Sequence, residues 1–185
     1  WWRPGSTSES TWDMLIVTVA KSPDSLNANA GILKMRPDYS EMDVEMFQEK
    51  NIKARTIVHD HLLVNKGLSF AGNDGETPVV PRVAIINFMK VGYGNAYDYE
   101  KAENNLNSGD LGSRVGWGLL KRLDNAGDDV YYDYMTVDFY ENWKSMMQTR
   151  EATVKMPKEL QAVSNMRTHQ QSIPSWLAIQ VRPED

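Results

Sequence analysis

The chain of 185 residues is long enough for one large domain or two small ones that share a core, and its 41% hydrophobic and 24% charged residues are ordinary for a globular protein. Its formal charge of −5, with no basic run longer than Lys121-Arg122, argues against a nucleic-acid partner, since phosphate contacts need a concentrated basic surface. No apolar stretch of the sequence is long enough to cross a bilayer. The lack of cysteine excludes a disulfide scaffold, a thiolate zinc site and a cysteine nucleophile.

The N-terminal third predicts two strands around one helix. Residues 14–19 (MLIVTV) are apolar and β-branched and follow a polar stretch, which predicts the first strand. Ser40 with Asp43 forms a capping-box-like start for a helix through Asn51, in which Met42, Met46 and Phe47 have helical spacing. A second strand is expected over residues 56–64. Three glycines and two prolines without periodicity then predict a linker over residues 67–82.

The rest of the chain predicts six elements in the order β-α-β-β-α-β, which is the ferredoxin-like or split βαβ unit. Asn95 with Asp98 caps the first helix, and Pro157 opens the second. Turn-forming residues at 124–128 join two strands as a hairpin. The expected strands cover residues 83–91, 115–123, 131–140 and 174–181, and the expected helices cover residues 95–107 and 157–171.

The first part of the chain echoes the second. Residues 12–19 (WDMLIVTV) correspond to residues 132–139 (YDYMTVDF), and the same offset places Pro37 on Pro157. A fixed-offset echo indicates a duplicated unit. We therefore expect residues 1–66 to form an incomplete first ferredoxin-like repeat, residues 67–82 a linker, and residues 83–185 a complete second repeat. On this interpretation the first repeat lacks its initial β-α segment, about 40 residues that the intact gene encodes before Trp1.

These segments resemble the dimeric α+β barrel superfamily in its two-repeat, single-chain form. The similarity rests on residues 83–91 (VAIINFMKV), 116–119 (GWGL) and 132–137 (YDYMTV), which are similar to segments of uncharacterised bacterial proteins, often exported. The resemblance implies an α+β fold in which two ferredoxin-like sheets pack face to face or curl into a barrel, with helices outside. It implies no single activity, because relatives include haem enzymes, monooxygenases that act without metal, and stress proteins.

His59-Asp60-His61 is a candidate metal site. Residues two apart in a strand point to the same face, so both imidazoles could bind one transition-metal ion, with Asp133, Asp138 or Glu141 as a possible third ligand. The alternative is that both histidines hydrogen-bond to backbone or carboxylate groups at a strand edge.

His169 is a candidate haem ligand. We expect it near the edge of the apolar stripe of the last helix, and relatives of the chlorite dismutase and dye-decolorising peroxidase type hold haem through one proximal histidine. A half-buried histidine that hydrogen-bonds to water is the simpler alternative. The sequence favours a protein without a cofactor, and haem and a transition metal are the alternatives.

The central strands supply a third group of candidates for binding a small organic ligand between the sheets. These residues combine aromatic bodies with hydroxyl, amide or carboxylate tips, and Asp138 could act as a general base if burial raised its pKa. Alternatively, the aromatic residues only cement the interface between sheets. The candidates are Asn87, Trp117, Tyr134, Thr136 and Asp138.

The sequence therefore leaves three functions open. The first is a self-associating α+β barrel protein of unknown activity that binds a small organic ligand. The second is a haem-dependent or cofactor-independent oxidoreductase or monooxygenase. The third is a structural or assembly protein. The resemblance to exported proteins favours a secreted or periplasmic location over a cytoplasmic one.

Overall fold

The computed structural model describes residues 2–4, 14–19, 36–54, 61–71, 79–108, 111–124, 131–151 and 158–177. Within these ranges the protein has an α+β fold, in which four helices accompany an open, wholly antiparallel sheet of six strands. The strands are β1 (Trp2–Pro4), β2 (Leu63–Phe70), β3 (Val83–Val91), β4 (Gly116–Arg122), β5 (Tyr134–Tyr140) and β6 (Arg167–Leu177). The helices are α1 (Glu41–Ala54), α2 (Ala96–Asn107), α3 (Trp143–Glu151) and α4 (Lys158–Met166).

The sheet order is β1-β6-β3-β5-β4-β2. From β3 onward the chain runs β3-α2-β4-β5-α3-α4-β6, so the predicted order β-α-β-β-α-β is confirmed, with α3 as an additional helix. Numbered in chain order, the four strands of this segment lie in the sheet as 4-1-3-2. Strand β3 is central and nearly continuous in apolar residues because it is buried on both faces.

Strands β1 and β2 extend this segment at its two edges. β1 pairs with β6 and β2 pairs with β4, both antiparallel. A bulge between Asn65 and Gly67 interrupts the β2 ladder, and β1 ends at Pro4 after three residues. Bulges, prolines and short length all discourage further strand addition at a sheet edge.

One face of the sheet is covered by helices. Tyr99 of α2 and Val163 of α4 are both fully buried against Trp117 and Leu119 of β4 and Tyr134 of β5. Met146 of α3 belongs to a neighbouring buried cluster at the Val83 end of β3. We call this side of the sheet the helix-covered face.

The opposite side is more uniformly apolar. Side chains alternate between the two faces of a strand, so Ala84 and Ile86 point away from α2 and join Tyr132, Met135 and Val137 in a separate buried cluster. None of the described helices contributes to this cluster. We call this side the helix-free face. The half-buried residues that pack against its cluster are Leu15, Leu63, Phe88, Leu120 and Phe139.

Several predicted boundaries are wrong. Residues 14–19 form a single bridge at Leu15 instead of a strand, because a strand needs a continuous partner and no ladder runs along this segment. β2 continues to Phe70, so it occupies the first four residues of the predicted linker. Among the described side chains of α1, the buried apolar residue is Val44, whereas Met42, Met46 and Phe47 are exposed.

The largest correction concerns the C-terminal segment. The last helix ends at Met166, and β6 begins at Arg167 instead of the predicted residue 174. Residues 167–173 pair with β3 from Val91 to Ile86, so their backbone groups gain ladder hydrogen bonds along the central strand. Tertiary pairing of this kind overrides the weak helical pattern of a polar segment.

Candidate functional site

The residues capable of chemistry lie in separate groups on the two faces of the sheet. On the helix-covered face, Asn87 lies between Thr136 of β5 and Ser172 of β6, which are its direct cross-strand partners. Its Nδ2 donates to Thr136 Oγ1 at 3.2 Å and to Asp138 Oδ2 at 3.1 Å, and its Oδ1 accepts from the Ser172 hydroxyl. Three hydrogen bonds of correct polarity thus satisfy the Asn87 amide.

From Asp138 the network continues beneath α2. Arg114 Nη1 donates at 2.8 Å to both Asp138 Oδ1 and Asn107 Oδ1, and Asn107 in turn donates to Glu103. Glu103 is only 3% exposed and pairs with Arg167 of β6. Burial raises the pKa of Glu103 above its ordinary value, although the adjacent Arg167 guanidinium opposes this shift. The network therefore ties α2 to three strands through buried charge.

A second polar group lies where α2 crosses β4 and β5. The Tyr134 hydroxyl donates to Glu100 Oε1 at 2.6 Å, and Lys66 and Lys121 each lie 3.4 Å from the same carboxylate. Burial, followed by the bond to Glu100, raises the pKa of Tyr134 far above its ordinary value. The pKa of Glu100 is lowered, because Tyr134 and the two lysines outweigh the opposing effect of burial. Tyr134 is therefore a fixed hydrogen-bond donor and not a phenolate.

The five residues predicted to bind a ligand all belong to the helix-covered face. Four of them bond to one another or to charged neighbours, and Trp117 is 3% exposed within the apolar cluster beneath α2. They were expected to line a cavity between two sheets, and in the structure they lie on the face that α2 and α4 cover. Ligand binding by these residues stays a prediction, as does a general-base role for Asp138, whose carboxylate is bonded to Arg114 and Asn87.

His169 lies in β6 and not on the last helix, which is a consequence of the corrected boundary at Arg167. Its imidazole is exposed, and Nε2 lies 3.1 Å from the Gln171 carbonyl oxygen and 2.8 Å from Ser172 Oγ. A carbonyl only accepts hydrogen bonds, so Nε2 carries the proton here. No contact among the described residues bears on the haem-ligand role of His169, which stays a prediction.

A group of polar residues lies at one end of the helix-free face, around the C-terminal end of β4. His61 Nδ1 is 3.0 Å from Asp124 Oδ2, and Arg122 donates to the same carboxylate from Nε at 2.9 Å and from Nη2 at 3.3 Å. The Arg122 guanidinium also lies 5.1 Å from the centre of the Tyr132 ring. His61 and Asp124 are 63 positions apart in the sequence, and the pairing of β2 with β4 brings them together.

The charge state of Asp124 fixes the tautomer of His61. The hydrogen bonds from Arg122, followed by the bond from His61, hold the pKa of Asp124 far below its usual range. An ionised carboxylate only accepts hydrogen bonds, so Nδ1 of His61 carries the proton. In the neutral imidazole, Nε2 is then the acceptor.

Aromatic rings connect this polar group to the apolar cluster. The His61 ring meets Tyr132 edge to face with centroids 5.5 Å apart, and Phe88 meets Tyr132 in the same way at 4.9 Å. The ring centroids of Tyr131 and Phe88 are 6.3 Å apart. Tyr131 is 52% exposed, whereas Tyr132 is 5% exposed. Burial raises the pKa of Tyr132 to about 12. We call the set His61, Phe88, Arg122, Asp124, Tyr131 and Tyr132 the aromatic site.

Sequence reasoning found only His61 of this site, and for a different role. Asp124 and Tyr132 flank the predicted hairpin connection, so the turn signal already placed them near each other. What the sequence lacked was the pairing of β2 with β4, which brings His61 to the hairpin.

The predicted metal site is not tested, because His59 and Asp60 lie outside the described residues. Within the described ranges, no three histidine, aspartate or glutamate side chains converge in a way that could hold a metal ion. Of the proposed third ligands, Asp133 pairs with Lys90 and Asp138 with Arg114, while Glu141 is exposed just beyond β5.

The chain matches no model of a protein family, and no curated protein has a significantly similar sequence. None of the helices in the described ranges is both long enough and apolar enough to span a membrane.

Proposed function

We propose that this protein binds a small organic molecule at the aromatic site, on the helix-free face of its sheet. The observation that carries the proposal is a continuous set of ring contacts from partly exposed Tyr131 through Phe88 to buried Tyr132 and the apolar cluster behind it. Ligand sites combine an apolar lining with a few placed polar groups. Here His61 and the Arg122–Asp124 pair are those groups.

The helix-covered face supports this choice by contrast. Its polar groups are already bonded to one another, and among the described residues no buried side-chain polar atom lacks a partner. A ligand there would have to displace α2 or break buried ion pairs. Opening such a network costs several kcal/mol, on the order of 3–5 for one buried pair.

We further propose that the sheet is part of a two-repeat α+β barrel. If β1 is the second strand and β2 the fourth strand of a first repeat, then each repeat pairs its second strand with the fourth strand of the other, through β1–β6 and β2–β4. Such reciprocal pairing is what a twofold pseudo-symmetry requires. Met135 belongs to the cluster on the helix-free face, and Leu15, which corresponds to it in the echo, packs against that cluster. In a barrel this face is enclosed, and the aromatic site lies at its rim.

Titration with ethylbenzene, followed by nuclear magnetic resonance of side-chain methyl and aromatic groups, tests the binding proposal. We expect shifts at Phe88, Met135 and Val137, and none at Met146 or Val163 beneath the helices. Shifts confined to the helix-covered face, or no saturable shifts at all, would overturn the proposal.

A matched pair of variants locates the site on the face. Phe88→Leu should weaken ethylbenzene binding about tenfold, because a ring contact beyond simple burial is worth on the order of 1 kcal/mol and area is also lost. Phe70→Leu is the control, since Phe70 packs on Phe139 at the opposite end of the helix-free face. Equal losses in both variants would mean that binding is not at the aromatic site.

No described contact favours the oxidoreductase or the purely structural alternative over ligand binding. A Soret band in protein isolated from its native source would support haem binding, with His169 as the candidate ligand, over ligand binding at the aromatic site.

A further inference from the structure

Tyr132 of the aromatic site is a buried tyrosine whose hydroxyl has no hydrogen-bond partner among the described residues. Its side chain is only 5% exposed, and buried tyrosine hydroxyls are normally paired, as Tyr134 is with Glu100. No enclosed side-chain polar atom in the described ranges lacks a partner, so the Tyr132 hydroxyl is not sealed off from solvent. An open, unpaired hydroxyl on an otherwise buried side chain is suited to bonding a ligand.

The aromatic site restricts the position of this hydroxyl. Phe88 meets the Tyr132 ring edge to face at 4.9 Å, and the Arg122 guanidinium lies 5.1 Å from the ring centre. Both Arg122 and Asp124 act electrostatically on the hydroxyl, although neither is hydrogen-bonded to it. Because these contacts hold the ring, the hydroxyl is in place before a ligand binds, which lowers the entropy that binding costs.

The electrostatics of the site favour a hydroxyl that donates. Burial raises the pKa of Tyr132 to about 12, so the phenol keeps its proton at neutral pH. Of the two charged groups that act on the hydroxyl, Arg122 has the larger effect, and Asp124 has a smaller and opposite one. The potential at the hydroxyl is therefore net positive, which favours a ligand atom with a partial negative charge, such as a carbonyl oxygen.

A full negative charge on the ligand is disfavoured. Asp124 is ionised, because its pKa is held far below the usual range, and it would repel a carboxylate or a phosphate. Arg122 already donates to Asp124 from Nε and Nη2, so it cannot also clamp an anion through these two nitrogens. A neutral carbonyl group requires only one donor, which the Tyr132 hydroxyl supplies.

We infer that the ligand class is a neutral aromatic carbonyl compound whose carbonyl oxygen accepts a hydrogen bond from the Tyr132 hydroxyl. The ring of such a ligand would contact Phe88 and the half-exposed Tyr131. This inference rests on the proposed function, because it requires the ligand to lie at the aromatic site. It adds the chemistry of the ligand and makes Tyr132 the residue that determines specificity.

Calorimetric binding of acetophenone and ethylbenzene tests the inference, because the two probes share one carbon skeleton and only acetophenone has an acceptor. We expect the wild-type protein to bind acetophenone about fivefold more tightly, the factor that one net hydrogen bond contributes. Tyr132→Phe keeps the ring and removes the hydroxyl, so the preference should vanish while ethylbenzene affinity changes by less than about twofold. Tyr140→Phe removes the hydroxyl of a similarly buried tyrosine on the helix-covered face and should retain the full preference.

An infrared measurement reads the hydrogen bond directly. The carbonyl stretch of ¹³C-labelled acetophenone should lie at a lower frequency when bound to the wild-type protein than in heptane, because a hydrogen bond weakens the carbonyl bond. In Tyr132→Phe the bound frequency should approach the heptane value. A heptane-like frequency in the wild-type protein would overturn the inference without reference to any variant.

The outcomes separate the two proposals. If both probes bind the wild-type protein equally and shift the Phe88 resonances, the hydroxyl role is overturned and the proposed ligand site stands. If neither probe binds, both proposals are overturned. If the preference for acetophenone survives in Tyr132→Phe, another group is the donor and the inference fails. Tighter binding of benzoate than of acetophenone would overturn the choice of a neutral ligand.

Discussion

The two faces of the sheet are built from the same strands but differ in how they bury polar side chains. On the helix-covered face, Asn87, Asp138 and Glu103 are buried or half-buried and are satisfied by one another and by two arginines. On the helix-free face the buried cluster is apolar, and a polar group lies at one end of it around His61. Polar residues in the centre of a sheet therefore need not form a functional site, because they can be used up in holding helices to strands.

The strongest test of this comparison removes the cation from the buried pair on the helix-covered face. Arg167→Met leaves Glu103 uncompensated at 3% exposure, so we expect a loss of about 3–5 kcal/mol in the free energy of unfolding, measured by urea denaturation. Arg36→Met, which breaks an exposed pair with Asp38, is the control and should leave the free energy of unfolding unchanged within error. Equal effects would mean that the buried network does not hold the helices to the sheet.

A second variant opens the network at its centre. Asn87→Leu keeps the approximate volume but leaves Thr136, Asp138 and Ser172 without their shared partner, so we expect a loss of about 2 kcal/mol. Asn105→Leu, on the exposed side of α2, is the matched control in the same denaturation experiment. A neutral result for Asn87→Leu would place that amide outside the stabilising network.

The helix-free face can be tested through the segment that packs against it. Leu15→Asp should destabilise the fold by about 1–2 kcal/mol, because it puts a carboxylate against the apolar cluster. Ile16→Asp, one residue along and 40% exposed, should cost less than about 0.5 kcal/mol. The same measured loss for both would mean that Leu15 does not cover this face.

The smallest effect is expected at the aromatic site and depends on pH. The pKa of Asp124 is lowered from 3.8 in the folded protein, so its charge stabilises the fold above pH 3.8, and this stabilisation is lost as the pH falls through the lower folded value. Thermal unfolding should therefore find Asp124→Asn less stable than wild type near pH 6, with the gap closing below about pH 4. A gap of the same size at pH 6 and pH 2 would assign the loss to packing instead of charge.

Much of the architecture was predictable from local signals. The bounds of β3 agree with the prediction because nine mostly apolar residues between turn signals favour a buried strand, and the antiparallel pairing of β4 with β5 agrees with the hairpin predicted from turn residues. The end of α4 was not predictable. Residues 167–171 carry no strong pattern of either kind, and their pairing with β3 decides their structure.

The candidate site was less predictable than the fold. Period-2 alternation predicts one shared face for the even-numbered residues 132–140. This is confirmed for Tyr134 to Tyr140 but is wrong for Tyr132, which lies in the cluster on the helix-free face. Alternation also does not say which face a helix covers. Likewise, His61 was noticeable as a potential ligand, whereas its partner Asp124 is 63 residues away. The sequence carries no signal for such a pair.

By itself, the sequence determined the α+β class, the element order from residue 83 onward and the residues that share a strand face, because turn chemistry and hydrophobic alternation act over a few neighbouring residues. Only the tertiary structure decided which face the helices cover, where β6 begins, and that His61 meets Asp124 and Tyr132. Those outcomes depend on pairing between distant strands, whose ladder hydrogen bonds and buried area no local pattern contains.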